Sequence, residues 1–243
     1  MCGIVGYVGD KQAAPILLAG LSKLEYRGYD SAGLAVRDGE ELAEVVKATG
    51  KLVNLSDKTD GGKALSGCCG IGHTRWATHG VPSKTNAHPH VSGNCTGSAS
   101  GPVESEVVGV HNGIIENFKE LREKLEKKGC TFRSQTDTET VAHLIATKFA
   151  ETNDLTEAVR LATKEIEGAY ALCVIHQDVK DTIVATRRNA PLLVGLGENE
   201  YYIASDVPAI IQHTKKAMYI DDNQIVTVTP NSMKLIDIDN NSI

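Results

Sequence analysis

Met1-Cys2-Gly3-Ile4-Val5-Gly6-Tyr7-Val8 opens the chain with an apolar run that starts one residue after a cysteine. Ile4 to Val8 reads as a short buried strand almost at the terminus. An amphipathic helix follows over Pro15 to Leu24, with Leu17, Leu21 and Leu24 on one face and Pro15 in its first turn. After the polar turn Tyr26-Arg27-Gly28-Tyr29-Asp30, Gly33 to Val36 and Leu42 to Val46 pattern as a hairpin turned at Asp38-Gly39. Cys69 to Arg75 gives another strand, His79 to Glu106 reads as loop, and Val107 to Val110 form a strand that stops at Asn112-Gly113.

Helix signals come next. Asn117 stands as an N-cap with Glu120 set for a capping box, Phe118, Leu121 and Leu125 face inward, and Gly129 marks the stop. Thr136-Asp137-Thr138-Glu139 opens a second helix as another capping box, and Asp154 to Glu157 opens a third that ends at Gly168. Beyond this the period changes to two. Ala169 to Ile175, Thr182 to Thr186, Leu192 to Leu196, Tyr201 to Ala204, Ile225 to Val228 and Lys234 to Ile238 are strands joined by short turns, so neighbours should run antiparallel. Helices and strands segregate along the chain, which specifies an α+β class over a βαβ repeat.

The 243 residues suffice for one large core, and no internal repeat or linker divides them, so 1–243 is expected to be one domain. The formal net charge is -6 with Lys and Arg scattered among acids, which argues against a nucleic-acid partner. No apolar run is long enough for a membrane span, and the start carries no basic signal region. A cytoplasmic setting is therefore expected, in which the six cysteines stay reduced.

A cysteine in second place carries a thiol and, once Met1 is trimmed, a free α-amine. The amine, with a reference pKa of about 7.7 to 8.0, can take the proton of a thiol near 8.5 and later give one to a leaving group. The competing reading of Cys2 is a small apolar residue that starts a strand. In His111-Asn112-Gly113, the Asn112 amide and the Gly113 N–H are suitable donors to an oxyanion; an ordinary Asn-Gly hairpin turn is the alternative. Arg75 offers a fork for a carboxylate and Asp137 a carboxylate for an ammonium group, against a surface arginine and a plain capping aspartate. A metal site could be built from His73, His79, His88 and His90 with Cys68 and Cys69, but the spacings lack the regularity of zinc motifs, so no metal and no cofactor are expected. A non-catalytic, partner-binding chain is the other alternative.

Taken together, Met1 to Gly6, Leu24-Glu25-Tyr26-Arg27-Gly28-Tyr29-Asp30-Ser31-Ala32-Gly33, His73-Thr74-Arg75-Trp76-Ala77-Thr78-His79-Gly80, His111-Asn112-Gly113-Ile114-Ile115-Glu116-Asn117 and Thr136 to Glu139 resemble the glutaminase domains of the glutamine:fructose-6-phosphate aminotransferases, which are class II glutamine amidotransferases. The resemblance runs over nearly the whole chain. It implies an N-terminal-nucleophile hydrolase fold, a four-layer αββα sandwich with two antiparallel sheets. It also implies that Cys2 attacks the side-chain amide of glutamine, that Asn112 and Gly113 form the oxyanion hole, and that Arg75, Thr78 and His79 hold the α-carboxylate while Asp137 holds the α-ammonium. Trp76 would match the gate of an ammonia channel, and Arg27 would help to shape the site.

Two departures stand beside the match. The family's sugar-phosphate isomerase domain, the expected partner and a possible route to a homo-oligomer, has no counterpart in these residues. The segment Gly93 to Glu106 looks longer and more polar than its bacterial equivalent, as a solvated insertion would. Other acceptors served by glutaminases of this kind are phosphoribosyl pyrophosphate, aspartate and 2-oxoglutarate; the string Arg75 to His79 favours the sugar-phosphate branch by resemblance.

Overall fold

Strand β1 (Gly3–Val8) is buried along its whole length because both of its faces are covered: Val5 and Tyr7 belong to one core cluster, Ile4 and Val8 to another. The computed structural model describes residues 2–39, 43–93, 95–98, 101–103 and 106–243. Helix α1 (Ala13–Ser22) packs Leu17 and Leu21 against the Val5 side, beginning two residues ahead of Pro15, with Leu24 already past its end. The hairpin forms between β2 (Ser31–Arg37) and β3 (Glu44–Thr49), with Leu42 outside the described residues. A short helix α2 (Leu52–Lys58), which carries too few apolar positions to show a helical period, caps the same side through Leu52 and Leu55. Strand β4 (Cys69–Arg75) then inserts between β1 and β2, antiparallel to both.

The stretch expected to be loop holds three strands: β5 (His90–Val91), β6 (Cys95–Ser98) and β7 (Gly101–Val103), the last two pairing as a small hairpin. Gly, Ser and Asn weaken a strand pattern without forbidding pairing, so composition alone misread it. The expectation of reduced cysteines is also corrected here. An isolated antiparallel bridge sets residues 95 and 130 face to face, and Cys95 and Cys130 form a disulfide. Strand β8 (Val107–Ile115) does not stop at Asn112-Gly113; it runs on to Ile115, paired as far as Gly168. Gly113 sits at φ 113° and so redirects the strand without ending the ladder.

Helices α3 (Phe118–Lys127), α4 (Asp137–Thr152) and α5 (Leu155–Glu165) lie where their caps predicted, but two of the capping boxes dissolve. Asn117 makes no cap bond and instead holds Glu165 O and the Glu167 N–H, while Glu120 pairs with Lys124. Thr136 does cap α4, yet Glu139 turns to the N–H groups of Arg133 and Ser134. Strands β9 (Gly168–His176), β10 (Val179–Arg188), β11 (Leu193–Leu196), β12 (Tyr201–Ala204), β13 (Ala217–Tyr219), β14 (Gln224–Thr229) and β15 (Ser232–Asp237) complete the chain. Of these β13, only three residues long and largely exposed, had no period to reveal it.

Beside the β6-β7 hairpin, the described residues form two large sheets, ordered β13-β11-β12-β1-β4-β2-β3 and β15-β14-β10-β9-β8-β5, with antiparallel pairing throughout. Ile4, Ile71, Val110, Cys173, Ile183 and Val226 fill the space between them. The first pair of helices covers the outer face of one sheet and α3 to α5 that of the other, giving the αββα order of layers. Among the described residues no helix is long and apolar enough to cross a membrane.

Candidate active site

Four pieces of backbone end at one cavity of about 440 Å³. The residue before β1 supplies Cys2, the end of β4 and the loop after it supply Arg75, Trp76, Thr78 and His79, the late part of β8 supplies Asn112 and Gly113, and the first turn of α4 supplies Asp137. Every residue that the glutaminase resemblance singled out thus lines the same space. Arg27 lines it too.

The Cys2 sulfur accepts the Trp76 N–H at 3.1 Å. Burial pushes its thiol pKa up, opposed by that N–H and by the charge of Arg75. Arg27 donates to the Cys2 carbonyl at 3.2 Å and is itself anchored by Asp206 at 2.7 Å, while Ser205 accepts the Ile4 N–H. The start of β1 is therefore fixed from both sides of the chain.

Arg75 is buried and donates to the carbonyls of His79 and Gly80, which folds the loop back over the cavity. Its Nη1 lies 3.6 Å from Asp30 and has no hydrogen-bond partner. An unmatched guanidinium N–H in a cavity suits an incoming carboxylate. Asp137, 3 % exposed, accepts the Ile115 N–H at 3.0 Å through Oδ2, with His79 Nδ1 at 3.9 Å. One cavity thus holds a buried cation and a buried carboxylate, a complement to a zwitterion.

Gly113 cannot be replaced by a larger residue without rebuilding the wall, since a Cβ there would meet Ala169 O at 2.0 Å. Asn112 donates from Nδ2 to the Cys2 carbonyl at 3.3 Å, so its amide stands beside the nucleophile. Trp76 is 55 % exposed and lies across Gly28, where a Cβ would sit 3.1 Å from the indole.

The rival metal set does not assemble. Cys69 begins β4 and its thiol turns to Thr182 O, whereas His73, His88 and His90 gather near the strand's other end, with bonds to Asn112, Thr138 and Thr136. The described residues instead bring Cys95, Cys130 and His143 within 4.8 Å, where the two sulfurs are bonded to each other. Residues the sequence did not single out include Asp30, which accepts the Ala77 N–H and pairs with Arg75, and Asn189 to Pro191, which close the cavity's far wall. Asp30 sat in a turn that also belongs to a resembling motif but was given no role there; Asn189 gave no signal beyond its tolerance of φ 56°.

Residues 98–212 match the family model described as a glutamine amidotransferase domain. The chain is 50% identical over 237 residues to a glutamine--fructose-6-phosphate aminotransferase (isomerizing) of Clostridium tetani, covering 98% of this chain and 37% of that protein. The namesake of Thermococcus kodakarensis is 45% identical over 243 residues, 100% of this chain and 38% of that one. The chain spans little more than a third of the length of these relatives. Among solved structures, a glutamine phosphoribosylpyrophosphate amidotransferase from B. subtilis superposes with a TM-score of 0.81 at 25% identity, over 98% of this chain and 49% of that one. A glutamine aminotransferase class-II domain protein from Silicibacter pomeroyi shares the fold, with a TM-score of 0.62 at 12% identity over 98% and 99%.

Proposed function

The chain belongs to the class II glutamine amidotransferase domains, and from that premise we propose that it hydrolyses the side-chain amide of glutamine to glutamate and ammonia at Cys2. Removal of Met1 frees the Cys2 α-amine, which takes the thiol proton as sulfur attacks the amide carbon. The oxyanion that forms is held by Asn112 Nδ2 and the Gly113 N–H, and the α-amine passes its proton to the departing ammonia. Water then cleaves the thioester to release glutamate. The α-carboxylate is held by Arg75, with Thr78 and His79 beside it, and the α-ammonium by Asp137. The observation that carries this reading is the convergence of thiol, amide donor, buried guanidinium and buried carboxylate on one cavity.

The ammonia has an exit in this scheme. Trp76 and Ile114 line the cavity and are 55 % and 44 % exposed, an apolar lip of the kind that another domain covers. Its best match is a sugar-phosphate isomerase domain that uses ammonia to convert fructose-6-phosphate to glucosamine-6-phosphate, in keeping with the names of the relatives. Residues 1–243 act as one glutaminase unit in that reading, and the reaction is cytoplasmic.

The test is release of glutamate and ammonia from glutamine by protein whose mass shows Met1 removed, beside Cys2→Ala. The parent should turn over and the variant should not, while its far-UV spectrum and melting temperature stay unchanged. Equal turnover in the two would sink the assignment.

A further inference from the structure

The amide at the centre of this scheme is itself held in one orientation. Asn112 Nδ2 donates to the Cys2 carbonyl, so the opposite end of the amide is oxygen, and Oδ1 lies 2.9 Å from His73 Nε2. A carbonyl oxygen can only accept, so Nε2 carries the ring proton. His73 Nδ1 is buried and makes no hydrogen bond of regular geometry, with the His111 backbone close enough to act on the ring. Burial pushes His73 down to about 3, which keeps the ring neutral, with a single proton, in neutral solution.

The ring cannot swing away. His73 is fully buried in β4 and stacks on His88 with ring centres 4.0 Å apart. His88 Nδ1 faces the His111 N–H at 3.4 Å, so its Nε2 donates to Thr138 Oγ1 at 3.1 Å. The Thr138 hydroxyl in turn donates to His111 Nδ1 at 3.1 Å. A directed chain of neutral groups thus runs from the first turn of α4 to the histidine stack behind Asn112.

An asparagine amide has two ends of nearly equal size and opposite polarity. Reversed, Asn112 would turn an acceptor toward a carbonyl that is gaining negative charge, and would set its NH2 against the His73 N–H. We propose that His73 is the positioning residue that fixes which end of the Asn112 amide faces the reacting carbonyl. It does so from behind: Asn112 lines the cavity and His73 does not. The role rests on the glutaminase reading of Asn112 given above.

His73→Met keeps volume and removes the donor, whereas His73→Gln places an amide N–H at a reach similar to Nε2. With His73→Met, kcat for glutamine should fall by about 10- to 100-fold, less than the 10²- to 10³-fold expected of Asn112→Ala, with KM within about twofold. His73→Gln should recover most of the loss. In an Asn112→Ala background, His73→Met should add nothing, because the group it orients is gone. Parental kcat in His73→Met, a raised KM at unchanged kcat, or an additive loss in the double variant would each overturn the role. Nitrogen-15 NMR of histidine-labelled wild type gives a reading that needs no variant to fold: the His73 proton should be on Nε2, and a proton on Nδ1 overturns the proposal. Full turnover by Asn112→Ala would instead indict the oxyanion assignment; an impaired Asn112→Ala beside an unimpaired His73→Met rejects only the positioning.

Discussion

At the scale of single residues, the cavity is organised by groups that each do two things. Arg75 folds the loop through the His79 and Gly80 carbonyls and leaves Nη1 facing Asp30. A lysine at that position keeps the charge but loses the fork. Arg75→Lys should raise the KM for glutamine by about 10- to 100-fold, the scale of one or two charged hydrogen bonds, with a smaller change in kcat. Saturation curves for glutamate release decide it, and an unshifted KM would remove Arg75 from carboxylate binding. Cys2, Asn112, Gly113, Arg75 and Asp137 were legible in the sequence because their types are chemically pointed, whereas Trp76, Thr78 and His79 took their roles from the resemblance alone. Their supports were not: Asp30, Ser205 and Asp206 are ordinary polar residues until the fold brings them to Arg75, Ile4 and Arg27.

At the scale of elements, the sequence spoke clearly wherever a period was long or a cap was chemical. β4 matches the expected Cys69 to Arg75 at both ends and β12 the expected Tyr201 to Ala204. What failed were short elements and the fine use of capping groups. α2, β5 and β13 are too brief to establish a period, and Glu139 was drawn from its box by two nearer N–H donors. The hairpin of β6 and β7 was hidden by its polar composition and is tied down by a contact that no local pattern encodes, the Cys95–Cys130 bridge. The bridge closes a 35-residue separation, which by loop-closure entropy stabilises the fold by about 4 kcal/mol. Cys95→Ala combined with Cys130→Ala should lower the melting temperature by about 8 to 15 °C. Glutamine turnover at 25 °C should stay within about twofold, because neither cysteine lines the cavity. Equal melting temperatures for parent and variant would show that the bridge is not formed in solution.

At the scale of the whole molecule, the buried histidines tie stability to acidity. Burial lowers His73 to about 3 and His176 to about 4, and carries His88 and His90 well below their usual value. The unfolded chain takes up these protons near pH 6.5 and the folded chain only far below, so the folded state binds fewer protons across that interval. Stability is full above about pH 6.5 and falls as the pH drops toward 3 to 4. The melting temperature should therefore be flat from pH 8 to 7 and lower by at least about 10 °C at pH 4.5. A melting temperature that rose on acidification would contradict the neutral, buried state of the stack. The strand order has a practical corollary. β1 is held between β12 and β4, and Cys2 stands directly ahead of it with its carbonyl gripped by Arg27 and Asn112. Affinity handles fused upstream, or protease scars of even one residue left there, would turn the amine into an amide while leaving the sandwich undisturbed. On the proposed mechanism such a preparation would purify well and melt normally yet release no ammonia from glutamine.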